Sequence, residues 1–157
     1  MARNTKGPEP MTAFNIPTYR TQLVCEGTRR YEVVDDPRWI AHILTEYLNG
    51  CDREHLVMMA LDMQGHPTGL HTVSVGDLHS AIVSPANVAK FAILANAASV
   101  VLAHNHPSGD TTPSPEDIEV TRRISECLDL FQIDLLDHVI VGFTPDEFTS
   151  LKRLRHL

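Results

Sequence analysis

The stretch that most limits how this chain can fold runs from Ser99 to Asp117. Ser99-Val100-Val101-Leu102-Ala103 is apolar and partly β-branched, the composition of a buried strand. Ser114-Pro115-Glu116-Asp117 reads as a helix start, with Ser as the N-cap, Pro at the first helical position and acids in the first turn. The chain must therefore leave a core strand, turn, and enter a helix across a bridge that contains Pro107, Gly109 and Pro113. His104 and His106 fall where the strand ends. Residues two apart on an extended backbone point the same way, so the two rings can converge on one point, and the bridge can fold Asp117 back onto it. Two imidazoles and one carboxylate are a normal ligand set for a catalytic zinc, with the fourth position left for water. Such a set also binds other divalent ions. Asp110, four residues after His106, is a rival carboxylate on proximity alone.

The flanking sequence supplies layers for this stretch to pack into. Asp35-Asp36-Pro37 starts a helix in which Ile40, Ile43, Leu44, Tyr47 and Leu48 recur at helical spacing, and Asn49-Gly50 stops it. Leu56-Val57-Met58-Met59-Ala60-Leu61 is a central strand, followed by a turn and a second strand from about Thr68 to Val75. So apolar a strand needs cover on both faces, which implies helices packed on the sheet. Ser84-Pro85 opens a helix with Val88, Phe91, Ala92 and Ala95 on one stripe. The helix from Pro115 turns Ile118, Thr121, Ile124 and Leu128 inward, with Glu119/Arg123 and Arg122/Glu126 on a solvated face. Ile133 to Val141 forms another strand. Two short strands are expected around Glu26-Gly27, between Tyr19 and Val34. His42, His66, His71 and His79 have no partner at ligand spacing and read as surface or loop histidines. The closing Lys152, Arg153, Arg155 and His156 read as a frayed basic end.

At 157 residues the chain suits one domain with a real core. A formal net charge of −7 and a pI of about 5.6 give no global attraction to phosphate backbones, so direct nucleic-acid binding is not favoured. Cys25, Cys51 and Cys127 are widely separated, with no Cys-x-x-Cys pair, which favours reduced thiols over a disulfide framework or a thiolate zinc site. No apolar run approaches the ~20 residues of a membrane span, and the first residues carry no secretory core. The expectation is a cytoplasmic protein with a mobile tail over residues 1–18 and a single domain over 19–157. The motif-bearing core spans about 53–142, and nothing here sets the oligomeric state.

The spacing His-x-His, seven residues, Ser, two residues, Asp resembles the JAMM signature of the JAB/MPN zinc metallopeptidases. The fuller string His104-Asn105-His106-Pro107-Ser108-Gly109-Asp110, with Leu135-Leu136-Asp137-His138, is similar to their bacterial RadC branch, over about Arg53 to Gly142. This resemblance implies an α/β fold: a mixed, mostly antiparallel sheet flanked by helices, in the cytidine-deaminase-like JAB/MPN architecture. It selects Asp117 over Asp110, so His104, His106 and Asp117 become the ligands of one zinc ion. It also implies that Glu54, in an Arg53-Glu54-His55 context similar to that of RadC-like members, is the general acid/base. Ser114 then helps to polarise the scissile carbonyl, although a Ser before Pro is also a plain N-cap worth about 1 kcal/mol. The two roles compete for one oxygen. His138 matches the pattern without a defined task beyond packing or support of a ligand. His55 points to the other side of its strand from Glu54 and is not a ligand.

The implied activity is that of a zinc-dependent metallopeptidase or isopeptidase, which hydrolyses an amide bond of a peptide or protein substrate with a zinc-activated water. The RadC resemblance also brings a DNA-repair association. RadC-like proteins often carry a helix-hairpin-helix module, for which there is no room before Asp35, and the acidic balance weakens direct DNA binding. A non-catalytic MPN interaction module is a third reading, but such relatives lack the ligand set. Zinc deaminases use His-x-Glu with Pro-Cys-x-x-Cys, which this chain lacks. Barrel amidohydrolases need ~250 residues.

Overall fold

The structure is a computed structural model and describes residues 20–28, 38–76 and 83–157. The expected tail over 1–18, the Asp35-Asp36-Pro37 helix start and His79 lie outside the described residues. Residues 20–28 are exposed and carry no strand, which corrects the strand expected before Glu26-Gly27. A short strand with no sheet to join and nothing to bury is marginal in water. The remainder of that expectation, over residues 29–34, lies outside the described residues.

The elements follow the apolar runs closely: α1 (Trp39–Leu48), β1 (His55–Leu61), β2 (Pro67–Val75), α2 (Pro85–Leu94), β3 (Ser99–Asn105), α3 (Pro115–Asp129), β4 (Asp134–Val141) and β5 (Phe148–Ser150). Among the described residues the strands form one five-stranded sheet in the order β2-β1-β3-β4-β5. Only β3 and β4 pair in parallel, and the other neighbours are antiparallel. This is the mixed, mostly antiparallel α/β arrangement that the resemblance implied. Parallel neighbours require a crossover, and α3 is that crossover.

Each central strand feeds two cores. Val57, Met59, Val101, Ala103, Val139 and Val141 pack under α1 with Ile43, Leu44 and Leu48. Leu56, Met58, Val100 and Leu102 pack on the opposite face against Val88 and Ala92 of α2 and Ile124 and Leu128 of α3. Odd and even residues of β3 thus share the burial between them, which is why its sequence shows no polar alternation. The same parity settles the end of the strand. His104 follows Leu102 onto the α2/α3 face, and Asn105 follows Ala103 onto the α1 face.

The C-terminal end differs from the frayed end expected. β5 closes the sheet beside β4, Leu151 is fully buried, and Asp137 Oδ1 accepts the Lys152 amide at 3.1 Å. Periodicity could not show this, because a three-residue edge strand is too short to carry a pattern. On α3, Arg122 bridges Glu119 and Glu126, so the expected Glu119–Arg123 pair is replaced by the i, i+3 alternative. Among the described residues no helix is long and apolar enough to cross a membrane.

Leu102 lies at the centre of the α2/α3 core and is fully buried. Leu102→Ala is expected to cost about 2–5 kcal/mol of unfolding free energy, read by urea titration. A cost below about 1 kcal/mol would mean that this core is loosely packed.

Candidate metal centre

Strand pairing assembles the site. β1 runs antiparallel to β3 with Leu56 opposite His104, so the start of β1 lies beside the end of β3. Continuing that register sets Glu54 across from His106, on the face that Leu56 and His104 share. The bridge then returns the chain to the same face. Gly109 has φ +76°, and the Phe143 ring fills the space that a Cβ there would occupy, so only glycine fits this turn. As α3 begins, Asp117 enters the cluster from its first turn. Glu54, His104, His106 and Asp117 each offer one ligand atom within 4.8 Å of all the others.

The distances suit a small cation. His104 Nε2 lies 3.1 Å from His106 Nε2 and 3.3 Å from Asp117 Oδ1, while His106 Nε2 lies 3.6 Å from Asp117 Oδ2. Ligands at ~2.0–2.1 Å around a tetrahedral zinc stand about 3.3 Å apart. The proton inventory agrees. His106 Nδ1 is 2.6 Å from the Asp110 carbonyl, which can only accept, so Nδ1 donates and the neutral ring turns a lone pair at Nε2 toward its neighbours. Lone pairs and a carboxylate converging in a largely buried space call for positive charge between them.

Asp117 is held as an anion and aimed. Its burial opposes ionisation, but the hydrogen bonds it accepts from His104 and His106 when their Nε2 atoms carry a proton, and then those from Ser114, outweigh that and hold the carboxyl far below the usual range. Ser114 donates to Oδ2 through both its amide and its hydroxyl, at 2.7 Å each. The Ser114 oxygen in turn accepts the Asp117 amide at 3.1 Å. This capping box ties one carboxylate oxygen and leaves Oδ1 toward His104. His106 is shifted upward, chiefly by its hydrogen bond to Asp117, against burial and with help from the Asp110 carbonyl and the charge of Glu54. Asp110 contributes its carbonyl to the His106 ring, while its carboxylate accepts the Thr112 amide at 2.9 Å.

Three further residues support the cluster: the sequence gives Asn105 and Thr121 no part in it and His138 only packing or support of a ligand. Asn105 lies between the two histidines and points the other way. Its Oδ1 accepts the His55 amide at 3.0 Å and its Nδ2 donates to the Arg53 carbonyl at 3.1 Å. It therefore clamps the residues on either side of Glu54, and strand alternation was the signal that could have shown it facing away from the rings. His138 and Thr121 are fully buried. His138 Nε2 lies 2.8 Å from His104 Nδ1, and His138 Nδ1 lies 2.5 Å from Thr121 Oγ1. Burial of His138, with the nearby His104, pushes its pKa well down, so its ring is neutral.

The RadC-like JAB domain family model matches residues 34–156. The chain belongs to that family. Among the similar RadC-like relatives, a UPF0758 protein of Desulfitobacterium hafniense is 44% identical over 120 residues, covering 76% of this chain and 52% of the relative. UPF0758 protein YsxA of Bacillus subtilis is 43% identical over 125 residues, 80% of this chain and 53% of the relative. A UPF0758 protein of Bacillus cereus is 37% identical over 153 residues, 98% of this chain and 66% of the relative. The chain thus spans about half to two thirds of the length of these curated relatives. The RadC-like match contains the whole Glu54, His104, His106 and Asp117 cluster.

Asn105→Ala removes two hydrogen bonds and leaves the half-buried His55 amide without its partner. The expected loss is about 1–3 kcal/mol of stability, read by denaturant unfolding. Amide exchange at His55 is expected to accelerate, while unchanged exchange there would remove Asn105 from the support of Glu54.

Proposed function

We propose that this RadC-like protein is a zinc-dependent metallopeptidase or isopeptidase of the JAMM type, with His104, His106 and Asp117 as the metal ligands and Glu54 as general acid/base. The observation that carries this reading is the convergence of Glu54, from the residue just before β1, on the point where the other three groups meet. His104 and Asp117 are buried, whereas His106 and Glu54 are half-buried. One side of the cluster is therefore open to solvent, as a catalytic rather than a structural zinc site requires.

When bound, a zinc ion supplies Lewis acidity, which acidifies water toward a pKa of ~7 and polarises a carbonyl. Glu54 takes the proton of the attacking water and later delivers it to the leaving amine, so the amide ends as a free acid and a free amine. Ser114 turns its hydroxyl proton from Asp117 Oδ2 toward the developing oxyanion. Its duty as a helix cap is kept, because the same oxygen still accepts the Asp117 amide through a lone pair, and the Ser114 amide still bonds that carboxylate. The partner is a peptide or protein substrate. A net charge of −7 weighs against the DNA-associated alternative, since phosphate binding is driven by Lys and Arg.

Glu54→Gln is expected to retain zinc, counted per chain by elemental analysis, while hydrolysis of a library holding both peptide and isopeptide bonds disappears. Unaltered hydrolysis would remove Glu54 from the mechanism, and hydrolysis that survives a chelator would remove the metal. His104→Ala and Asp117→Ala are expected to lose the metal itself.

Proton competition sets the pH dependence. The upward shift of His106 means that its ring holds a proton to higher pH than the ~6.5 of a free imidazole. Zinc affinity is therefore expected to rise with pH through and above that value and to fall as pH drops, followed by chelator competition. A flat profile from about pH 5.5 to 8 would exclude His106 as a ligand.

A further inference from the structure

We infer that His138 and Thr121 are positioning residues that fix the proton of His104 on Nδ1 and so keep Nε2 bare for a metal ion. The inference rests on the metal site proposed above and extends it to residues that touch neither the ion nor a substrate.

With the buried His138 ring neutral, the geometry allows one proton arrangement along Thr121, His138 and His104 Nδ1. Thr121 Oγ1 is 2.5 Å from the Asp117 carbonyl oxygen, which has no proton, so the threonine must donate there. That uses the one hydroxyl proton. The same oxygen is 2.5 Å from His138 Nδ1, so the ring must donate to it, and Nδ1 carries the proton of the neutral imidazole. His138 Nε2 is then an acceptor. It faces His104 Nδ1 at 2.8 Å, so His104 donates from Nδ1. The opposite tautomer of His138 would set a bare nitrogen against a spent hydroxyl oxygen and would force the His104 proton onto Nε2, where it blocks the ligand position.

The fold supplies each member for a stated reason. Thr121 lies one helical turn after Asp117 on the inner face of α3. The parallel register sets His138 beside Leu102, within reach of the ring two residues on. His104, Thr121 and His138 are fully buried, so no solvent competes for these protons. A single helix thus provides one ligand, Asp117, and the hydroxyl that orients the support of another. Ligand histidines generally donate their second nitrogen to a carboxylate, carbonyl or water. Here the acceptor is a neutral ring, which accepts only in the tautomer that Thr121 imposes.

The test uses zinc affinity, by competition with a chelator, in the full chain and in Thr121→Val, Thr121→Ser and His138→Phe. Loss of the hydroxyl or of the acceptor is expected to weaken zinc about 10–100-fold, while Thr121→Ser, which keeps the hydroxyl, stays near the original affinity. The Val/Ser pair decides the matter if His138→Phe does not fold. Imidazole 15N shifts supply a readout that packing would not move. His104 and His138 are expected to be protonated at Nδ1 in the metal-free chain, and His104 to remain so with zinc. Equal affinity across folded variants, or a bare His104 Nδ1, would overturn the inference. Failure of the original chain to bind zinc would instead overturn the metal site, with the metal-free 15N shifts still deciding the proton arrangement. Zinc binding without amide hydrolysis would overturn the peptidase reading alone.

Discussion

Antiparallel pairing of β1 with β3 is the contact on which the candidate site depends. Leu56 opposite His104 brings the start of one strand to the end of the other and sets Glu54 across from His106. A slip of one residue would carry Glu54 to the α1 face, away from both rings. The register is held by burial on both faces at once, with Val57 and Met59 in one core and Leu56 and Met58 in the other. Apolar packing, which does no chemistry itself, thereby fixes the separation of four polar groups.

The first turns of α3 carry the second constraint. Ser114 and Asp117 satisfy the orphan amides of the helix start through a capping box, and the same hydrogen bonds immobilise the carboxylate. Thr121 then turns its hydroxyl back to the Asp117 carbonyl. In most helices these are features of local stability. Here each also orients a group at the cluster, so the stability of the helix start and the geometry of the ligand set are not separable.

The core around His104 is unusual in holding two buried histidines, a buried aspartate and a buried threonine beneath an otherwise aliphatic layer. Burying such groups is costly unless every donor finds an acceptor. The chain from Asp117 through Thr121 and His138 to His104 meets that condition and leaves its one unmatched lone pair at His104 Nε2, beside His106 and Asp117. The place where the hydrogen-bond inventory remains open is the place where a cation would fit. All of it lies within the segment that the RadC-like JAB domain match covers.

Local pattern by itself determined much of this protein. The apolar runs of β1 and β3, the Ser-Pro starts of α2 and α3, and the two histidines converging at a strand end are all set by neighbours within a few residues, and all stand in the structure where the spacing puts them. Glu54 was legible only through its resemblance to a known motif, because nothing in Arg53-Glu54-His55 itself refers to residues some fifty positions on. β5, the anchoring of Leu151, the Asn105 clamp and the partnership of His138 with Thr121 were decided by tertiary structure. Each joins side chains from separate elements through a register or a helix face, and such pairings are settled only when the two cores close around the sheet.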